Sequence, residues 1–446
     1  MASTYLTKQI STAGSRKKAT ISLWVKRGSG FGNDQRWFSY ENTSVSNNVT
    51  VFKFSGDSIQ FADQTGGSNN ARYDGTRKLR DPNAWYHFLV KMDTTQATNT
   101  DRLKVYINGE LQSEASYTYP SQNADLNIGH NSNAYIDIGR WRSSNNQYFD
   151  GCMTHFHYTD GYAYDASTFG ETDSTSGIWK PKTNPSVTYG TNGFFLKFAN
   201  SASLGLDSSG NTNNFTVSGT GTQTQDTPSN NFATLNPLSG NCTFSNGNNT
   251  WAGTTSGYEA SPATLGVSAG KWYWELKPTN ACGAMGVTDF NWQFQRRGSI
   301  IYASSGYAWV WEGNGYVSHD SYGDIASNYS TYTSSDIIGV ALDLTNNKLF
   351  FSKNGVFEAS SNPATNTNGI SIDAPSSLPS GFYSPLVADL CSATAAGGDV
   401  NFGNGRFGTT ALASSNSDAN GYGLFEYSVP TGYYALCTKN IKLYGG

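Results

Sequence analysis

The sequence predicts an all-β protein, built from two antiparallel β-sandwiches joined by an irregular connector. Aromatic residues make up 14% of the chain, with 27 Tyr, 24 Phe and 11 Trp, and 48 Gly punctuate it. Aromatic side chains suit a half-buried pleated surface, and Gly, Asn and Ser suit turns. Short apolar or alternating runs bounded by turn residues recur from end to end, with no convincing amphipathic helix among them. Finally, 446 residues exceed what a single hydrophobic core organises.

The first block, residues 1–170, carries strand patterns at 19–26, 50–54, 85–92, 102–107, 135–139 and 149–158. Asn108-Gly109 follows the fourth of these, and Asn-Gly is the strongest short hairpin signal. Between 171 and 240 the texture changes to turn formers around one apolar island, Phe194-Phe195-Leu196-Lys197-Phe198. This stretch reads as a connector that lays one strand on a neighbouring sheet. A second block, 241–408, has strand patterns at 271–277, 307–311, 337–344, 348–352, 382–389 and 399–402. Asn346-Asn347 and Asn354-Gly355 bracket the fourth of these as turns. Residues 409–446 form a Ser/Asn/Gly loop and an aromatic tail, which reads as an anchor. Many short strands at regular spacing favour antiparallel sandwiches over βαβ units.

Charged residues are only 14% of the chain, against about 25% in an average soluble protein. Polarity comes instead from Asn, Ser and Thr, as in exposed β-proteins that work outside cells. The net charge of −4 argues against a nucleic-acid partner, and the basic run Arg16-Lys17-Lys18 is short and flanks a strand. The five cysteines (Cys152, Cys242, Cys282, Cys391, Cys437) are widely spaced and odd in number. That pattern fits neither a disulfide framework nor a zinc site, so they read mostly as reduced, small hydrophobes. No run approaches the ~20 apolar residues of a membrane helix. The N-terminal segment lacks the basic and apolar regions of a signal peptide. Folding in a reducing cytoplasm follows as the expectation.

The second block resembles a SPRY (B30.2-type) domain. The matching residues are Gly270-Lys271-Trp272-Tyr273-Trp274-Glu275, Gly286-Val287, Asp336 to Asp343, Leu349 to Val356, and Val400-Asn401-Phe402-Gly403. That resemblance implies a non-catalytic sandwich that binds protein or peptide loops. The first block is similar to laminin-G-like, concanavalin-type jelly rolls through Ile21 to Lys26, Trp85-Tyr86-His87-Phe88, Leu103 to Gly109 and Phe149-Asp150-Gly151. Over nearly the whole chain, Ser15 to Lys18, Phe169 to Trp179, Asp207 to Asn211 and Asp226 to Leu238 resemble marine bacteriophage virion structural proteins. This last resemblance implies synthesis and assembly in a host cytoplasm and work on the virion surface. It also implies other virion proteins, of capsid or tail, as partners, with a homo-oligomer open.

Catalysis finds little support. Retaining glycoside hydrolysis needs two carboxyls about 5 Å apart, commonly as an alternating acidic row on one strand. The nine Glu of the chain form no such row. Glu171-Thr172-Asp173 lies in the connector, and Glu275 ends an apolar strand alone. His155 and His157 alternate on a strand, where packing outweighs metal ligation for want of a third ligand. Asp207 and Asn211 offer hard oxygens for calcium, the one cofactor left open, against an Asx-turn as the alternative. For binding, the aromatics in or beside loops are Trp141, Trp292, Tyr307, Trp309, Trp311 and Tyr316. Flat rings stack on sugar faces or anchor protein contacts. Trp309 and Trp311 share one strand face, so core and surface readings of them stay open. The expected function is therefore a non-enzymatic virion surface protein, a capsid decoration, knob or fibre component that touches host glycans or proteins. A lectin-type adhesin and a tail-fibre receptor-binding protein are the alternatives.

Overall fold

The computed structural model describes residues 4–240, 242–255, 259–291, 307–319, 324–326, 328–391 and 393–445. It divides into two compact units, Met1–Gln223 and Thr224–Gly446.

The first unit opens with β1 (Tyr5–Ile10), β2 (Lys18–Arg27), β3 (Gln35–Asn42), β4 (Val49–Ser55), β5 (Ser58–Thr65) and β6 (Ser68–Asp74). It continues with β7 (Trp85–Asp93), β8 (Leu103–Ile107), β9 (Glu110–Leu111), β10 (Ser116–Thr118), β11 (Ala134–Ile138) and β12 (Gly151–Asp160). Four short strands end it: β13 (Gly170–Thr172), β14 (Trp179–Pro181), β15 (Phe194–Leu196) and β16 (Thr216–Ser218). An eight-stranded sheet runs β10-β6-β5-β4-β3-β11-β1-β16 and a six-stranded sheet runs β15-β12-β2-β7-β8-β9. Period-two alternation turns Ile21, Leu23 and Val25 of β2 and Phe52 and Phe54 of β4 into one core. At its centre Trp37 meets Phe52, Phe54 and Phe88 with ring centroids 4.5–4.9 Å apart. The predicted Asn108-Gly109 turn is present, with φ of 49° and 83°, and joins β8 to β9.

In the second unit, β17 (Thr243–Ser245), β18 (Thr250–Ala252), β19 (Ala260–Pro262), β20 (Lys271–Pro278) and β21 (Gly283–Asp289) come first. They are followed by β22 (Ala308–Glu312), β23 (Val317–His319), β24 (Asp324–Ala326), β25 (Ile338–Asp343) and β26 (Lys348–Lys353). Next come β27 (Val356–Phe357), β28 (Ile370–Ser371), β29 (Tyr383–Asp389) and β30 (Gly397–Asn401). The closing elements are β31 (Arg406–Phe407), β32 (Thr410–Ala411), β33 (Asn416–Ser417), β34 (Leu424–Phe425), β35 (Tyr434–Ala435) and the helix α1 (Thr438–Tyr444). One sheet runs β17-β18-β30-β20-β25-β26-β27, with β28 on β26 and β35 beside β20; the other runs β19-β29-β21-β22-β23-β24. Gly339 is where the sheet needs no side chain, because a Cβ there would collide with Ser352 Oγ and Tyr273 Oη.

The stretch 171–240 does lay its apolar island on a neighbouring sheet, and it adds a second strand; three other expectations are corrected. Phe194–Leu196 pairs with β12, and Thr216–Ser218 pairs with β1. Residues 162–189 lie over the outer face of the six-stranded sheet, where Ala166, Phe169 and Trp179 pack on Leu89 and His87. That cover explains why nearly all of β2 is buried on both faces. The tail is likewise built in, since Phe425, Tyr433, Ala435 and Cys437 cover Tyr273, Ala341 and Phe350. Its aromatics serve packing, so the anchor reading loses its exposed rings. The tail also supplies a seven-residue helix that the pattern did not predict. Last, Cys282 and Cys391 are bonded across a sequence separation of 109, while Cys242 and Cys437 are free. Spacing along the chain gave no hint, because the two lie at matching ends of the paired strands β21 and β29.

Candidate functional site

Strands β3, β11 and β1 lie side by side in the eight-stranded sheet. Alternation sends Tyr40, Ile136, Ile138 and Leu6 into the core and turns Glu41, Tyr135, Asp137, Tyr5 and Thr7 outward. After β11 the chain reverses at Gly139, whose φ is 90°, and a loop folds back over these outward side chains. Backbone bonds close the loop, Trp141 N donating to Asn146 O at 2.8 Å and Phe149 N to Gly139 O at 3.0 Å.

Two carboxylates pin it down. Glu41 accepts from Arg142 N at 3.1 Å, Ser143 N at 3.2 Å and Ser143 Oγ at 2.6 Å. Asp137 accepts from Arg140 Nε at 2.7 Å and Arg142 Nη2 at 2.8 Å. Each of three guanidiniums lies over a ring: Arg36 4.1 Å above Trp141, Arg140 3.4 Å above Tyr5 and Arg142 3.9 Å above Tyr135. Arg36 also donates from Nε to Gln147 Oε1 at 2.8 Å. Burial lowers the Arg36 proton affinity to about 10, with Glu41 and Asp34 opposing the fall, so it stays charged at neutral pH. Arg142 Nε is buried and meets no acceptor among the described residues.

The result is a rigid face. Tyr5, Tyr135, Trp141 and Tyr148 are half-exposed, and Ser143, Ser144, Asn145 and Asn146 stand out at the loop tip. Flat rings, hydroxyls and amides side by side are what a pyranose needs for stacking and directed hydrogen bonds. The guanidiniums are neutralised by Glu41 and Asp137, with Asp34 a third carboxylate near Arg36, so the face offers a ligand chiefly its rings and its loop-tip hydroxyls and amides.

Of the residues singled out from sequence, Trp141 belongs to this face. Trp309 and Trp311 are corrected from binding candidates to core: they are 2% and 0% exposed, and their alternation on β22 aims both between the sheets. Tyr307 packs half-buried against the same core, and Tyr316 is exposed on the β22–β23 turn. Trp292 lies outside the described residues. The calcium reading of Asp207 and Asn211 is also corrected. Asp207 accepts from Phe195 N at 2.9 Å, Ser209 N at 2.8 Å, Ser209 Oγ at 2.8 Å and Asn213 N at 2.8 Å. Asn211 turns its amide nitrogen to Gly190 O and Gly193 O. Donors already ring the carboxylate, as in an Asx-turn, and they would repel a cation. Among the described residues no group of three or more His, Cys, Asp or Glu is arranged to hold a metal.

The remaining chemistry is structural. His157 is buried, stacks on Phe195 at 3.9 Å and shares a 2.9 Å hydrogen bond between Nδ1 and Tyr189 Oη. Glu275 is buried and accepts from Glu426 N and Tyr427 N at 2.9 Å and from Tyr273 Oη at 3.1 Å. Glu259 and Asp389 approach each other across Gly253, and both are buried. A shallow depression of about 480 Å³ beside Val356, Pro363 and Pro430 has no charged side chain in its walls.

Sequence reasoning missed Tyr5, Arg36, Tyr135, Arg140, Arg142 and Tyr148. A usable signal was present in Tyr135-Ile136-Asp137, which alternates outward rings and acids, and in Arg140-Trp141-Arg142 just past the strand.

The fold is nearly all-β and concanavalin-like, of the laminin G kind. Residues 3–162, which contain the whole Arg–aromatic face, match the Laminin_G_3 family of the concanavalin A-like lectin/glucanases superfamily. No curated protein matches the chain. Among solved structures, domains LG4-5 of the mouse laminin α1 chain align over 96% of this chain and 93% of that one, at 9% identity and a TM-score of 0.31. The SPRY domain of human HERC1 aligns over 37% of this chain and 94% of its own, at 18% identity and a TM-score of 0.29. A heptameric SAP-like pentraxin from Limulus polyphemus covers 35% of this chain and 69% of its own, at 15% identity and a TM-score of 0.27.

Proposed function

We propose that this chain is a non-catalytic adhesive protein of a phage particle, whose first unit takes host-surface glycans onto the Arg–aromatic face. The observation that carries the glycan reading is the set of half-exposed rings Tyr5, Tyr135 and Trp141, each backed by a guanidinium of Arg140, Arg142 or Arg36 that Glu41 and Asp137 help to fix. Preorganised rings and donors lose little conformational freedom on binding, which favours weak ligands made avid by many copies. The virion setting rests on the sequence resemblance of Phe169 to Trp179 and Asp226 to Leu238. In that setting the chain assembles in the host cytoplasm and its partners are capsid or tail proteins. The non-catalytic reading rests on burial of the one facing carboxylate pair described above, Glu259 and Asp389.

The test is a glycan array with neutral and acidic sugars, run on the full chain and on Trp141→Ala and Arg142→Ala. Binding to at least one glycan should fall about tenfold in either variant, the loss of roughly 1.4 kcal/mol. Retention of full binding in both would overturn the site. Absence of the chain's peptides from purified particles would overturn the virion setting.

A further inference from the structure

The second unit crosses between its two sheets twice at one rim. Between Pro278 and Gly283 the chain passes from β20 to β21, and between Asp389 and Gly397 it returns from β29 to β30. Cys282 sits on the first crossover and Cys391 on the second, with Cα atoms 5.4 Å apart and both residues half-exposed. We propose that Cys282–Cys391 is a redox-controlled clasp that fixes the two crossovers together when oxidised and frees them when reduced.

Among the described residues the other fastenings of this rim are hydrogen bonds, none of them covalent. Thr279 N and Oγ1 donate to Gly397 O at 2.9 and 3.1 Å, Asn280 Nδ2 to Ala395 O at 2.9 Å and Leu390 N to Cys282 O at 2.9 Å, while Gly253 N donates to Ala396 O at 2.8 Å and Cys391 N and Ala396 N donate to the Asp389 carboxylate at 3.1 and 2.9 Å. Asp389 is a poor peg on its own. Burial works against its charge and the facing Glu259 adds to that, so its pKa is raised. A covalent tie that closes a loop of this length constrains the opened chain strongly, and so weights the rim toward its closed form.

Formation balances as two exchange steps with a small-molecule disulfide as oxidant. One cysteine thiolate attacks the external disulfide, forming a mixed disulfide and releasing one small thiolate. The second thiolate then displaces the other, closing Cys282–Cys391. The two protons pass to the released small thiols, and the small disulfide gains the two electrons. Attack requires thiolate. Burial pushes the Cys242 thiol up to about 12 and the Cys437 thiol up to about 11, so neither competes for the bond. A chain folded in a reducing compartment would carry the open rim and close it on reaching an oxidising medium.

The experiment uses the full chain with and without dithiothreitol, read by iodoacetamide labelling and by protease cleavage mapped within 390–396. Without reductant, Cys282 and Cys391 should resist labelling. Reductant should expose both, raise cleavage at the rim about tenfold, and lower the unfolding midpoint of the second unit by on the order of 10 °C. The Cys282→Ser/Cys391→Ser double variant should behave as the reduced chain and ignore reductant, while Cys242→Ser keeps the full response. Labelling of both cysteines in air-exposed protein would overturn the clasp, as would unchanged cleavage on reduction. Because the wild-type comparison stands alone, a double variant that failed to fold would leave the inference testable.

Discussion

Each unit covers the outer face of one sheet with chain that follows it, and the two covers rest on opposite chemistry. In the first, residues 162–189 lie over His87 and His157, with His155 close by on the same strand as His157, and burial favours the neutral form of all three. Burial pulls His87 down to about 3 and His155 to about 4, while His157 is lowered well below its ordinary value. The positive charge of Lys197 adds to the fall at His155 and His157. In the second unit the tail is fastened by Glu275, whose carboxyl burial pushes up to about 7, against the pull of the Glu426 and Tyr427 amides. One cover is therefore strained by acid and the other by base. The same architecture can be given opposite pH responses simply by which titratable side chain is left beneath the overlay.

The largest effect should come from removing what lies under a cover or between sheets. Glu275→Ala strands two backbone amides, and Trp311→Ala empties the core of the second unit; each should cost about 3–5 kcal/mol in urea denaturation. An equal loss in the first unit's transition would break the comparison. Next come the pH profiles. A group lowered from about 6.5 to 3–4 lends stability above 6.5 that is lost as pH falls toward 4. A carboxyl raised to about 7 lends stability below about 4.5 that is lost as pH rises through 7. Calorimetry between these limits should therefore move the two units' midpoints in opposite directions, with His87→Gln and Glu275→Gln each flattening its own unit. Parallel movement in both would sink the contrast. Smaller still, Asp207→Ala should lower the first unit's stability by about 1–2 kcal/mol. A chelator should leave the wild-type midpoint unchanged, and a chelator-induced drop would restore calcium to that turn. Smallest is Tyr316→Ala, within about 0.5 kcal/mol because its ring is exposed.

Much of this fold was legible because strand patterns announce themselves. The runs at 85–92, 337–344 and 348–352 fall on β7, β25 and β26 within a residue or so, and Asn354-Gly355 turns with φ of 50° and 80°. What escaped were strands with polar interiors, such as β5, where buried Asp63 accepts from Thr50 Oγ1 at 2.5 Å and Asn127 N at 2.9 Å. An inward carboxylate breaks the alternation that marks a strand. The candidate face was mostly illegible for a different reason. Tyr5, Arg36 and Arg140 meet only after β1, β3 and β11 pair, and pairing across more than 90 residues leaves no local mark. The buried Trp309 and Trp311 misled in the reverse sense, since a loop-flanked aromatic looks the same in sequence whether it is inside or outside.

Strand β35 has a consequence for synthesis. It pairs in parallel with β20, Trp272 opposite Tyr434 and Tyr273 opposite Ala435, so a central strand waits for a partner translated some 160 residues later. During that interval Tyr273, Ala341 and Phe350 have only Phe232 and Phe357 of their cluster beside them and lack Phe425, Tyr433, Ala435 and Cys437, whereas the first unit holds all its own strands by residue 223. On the ribosome the first sandwich can close while the second is still emerging. A nascent chain stalled before residue 437 would present an uncovered aromatic sheet face, the kind of surface that chaperones hold and proteases find.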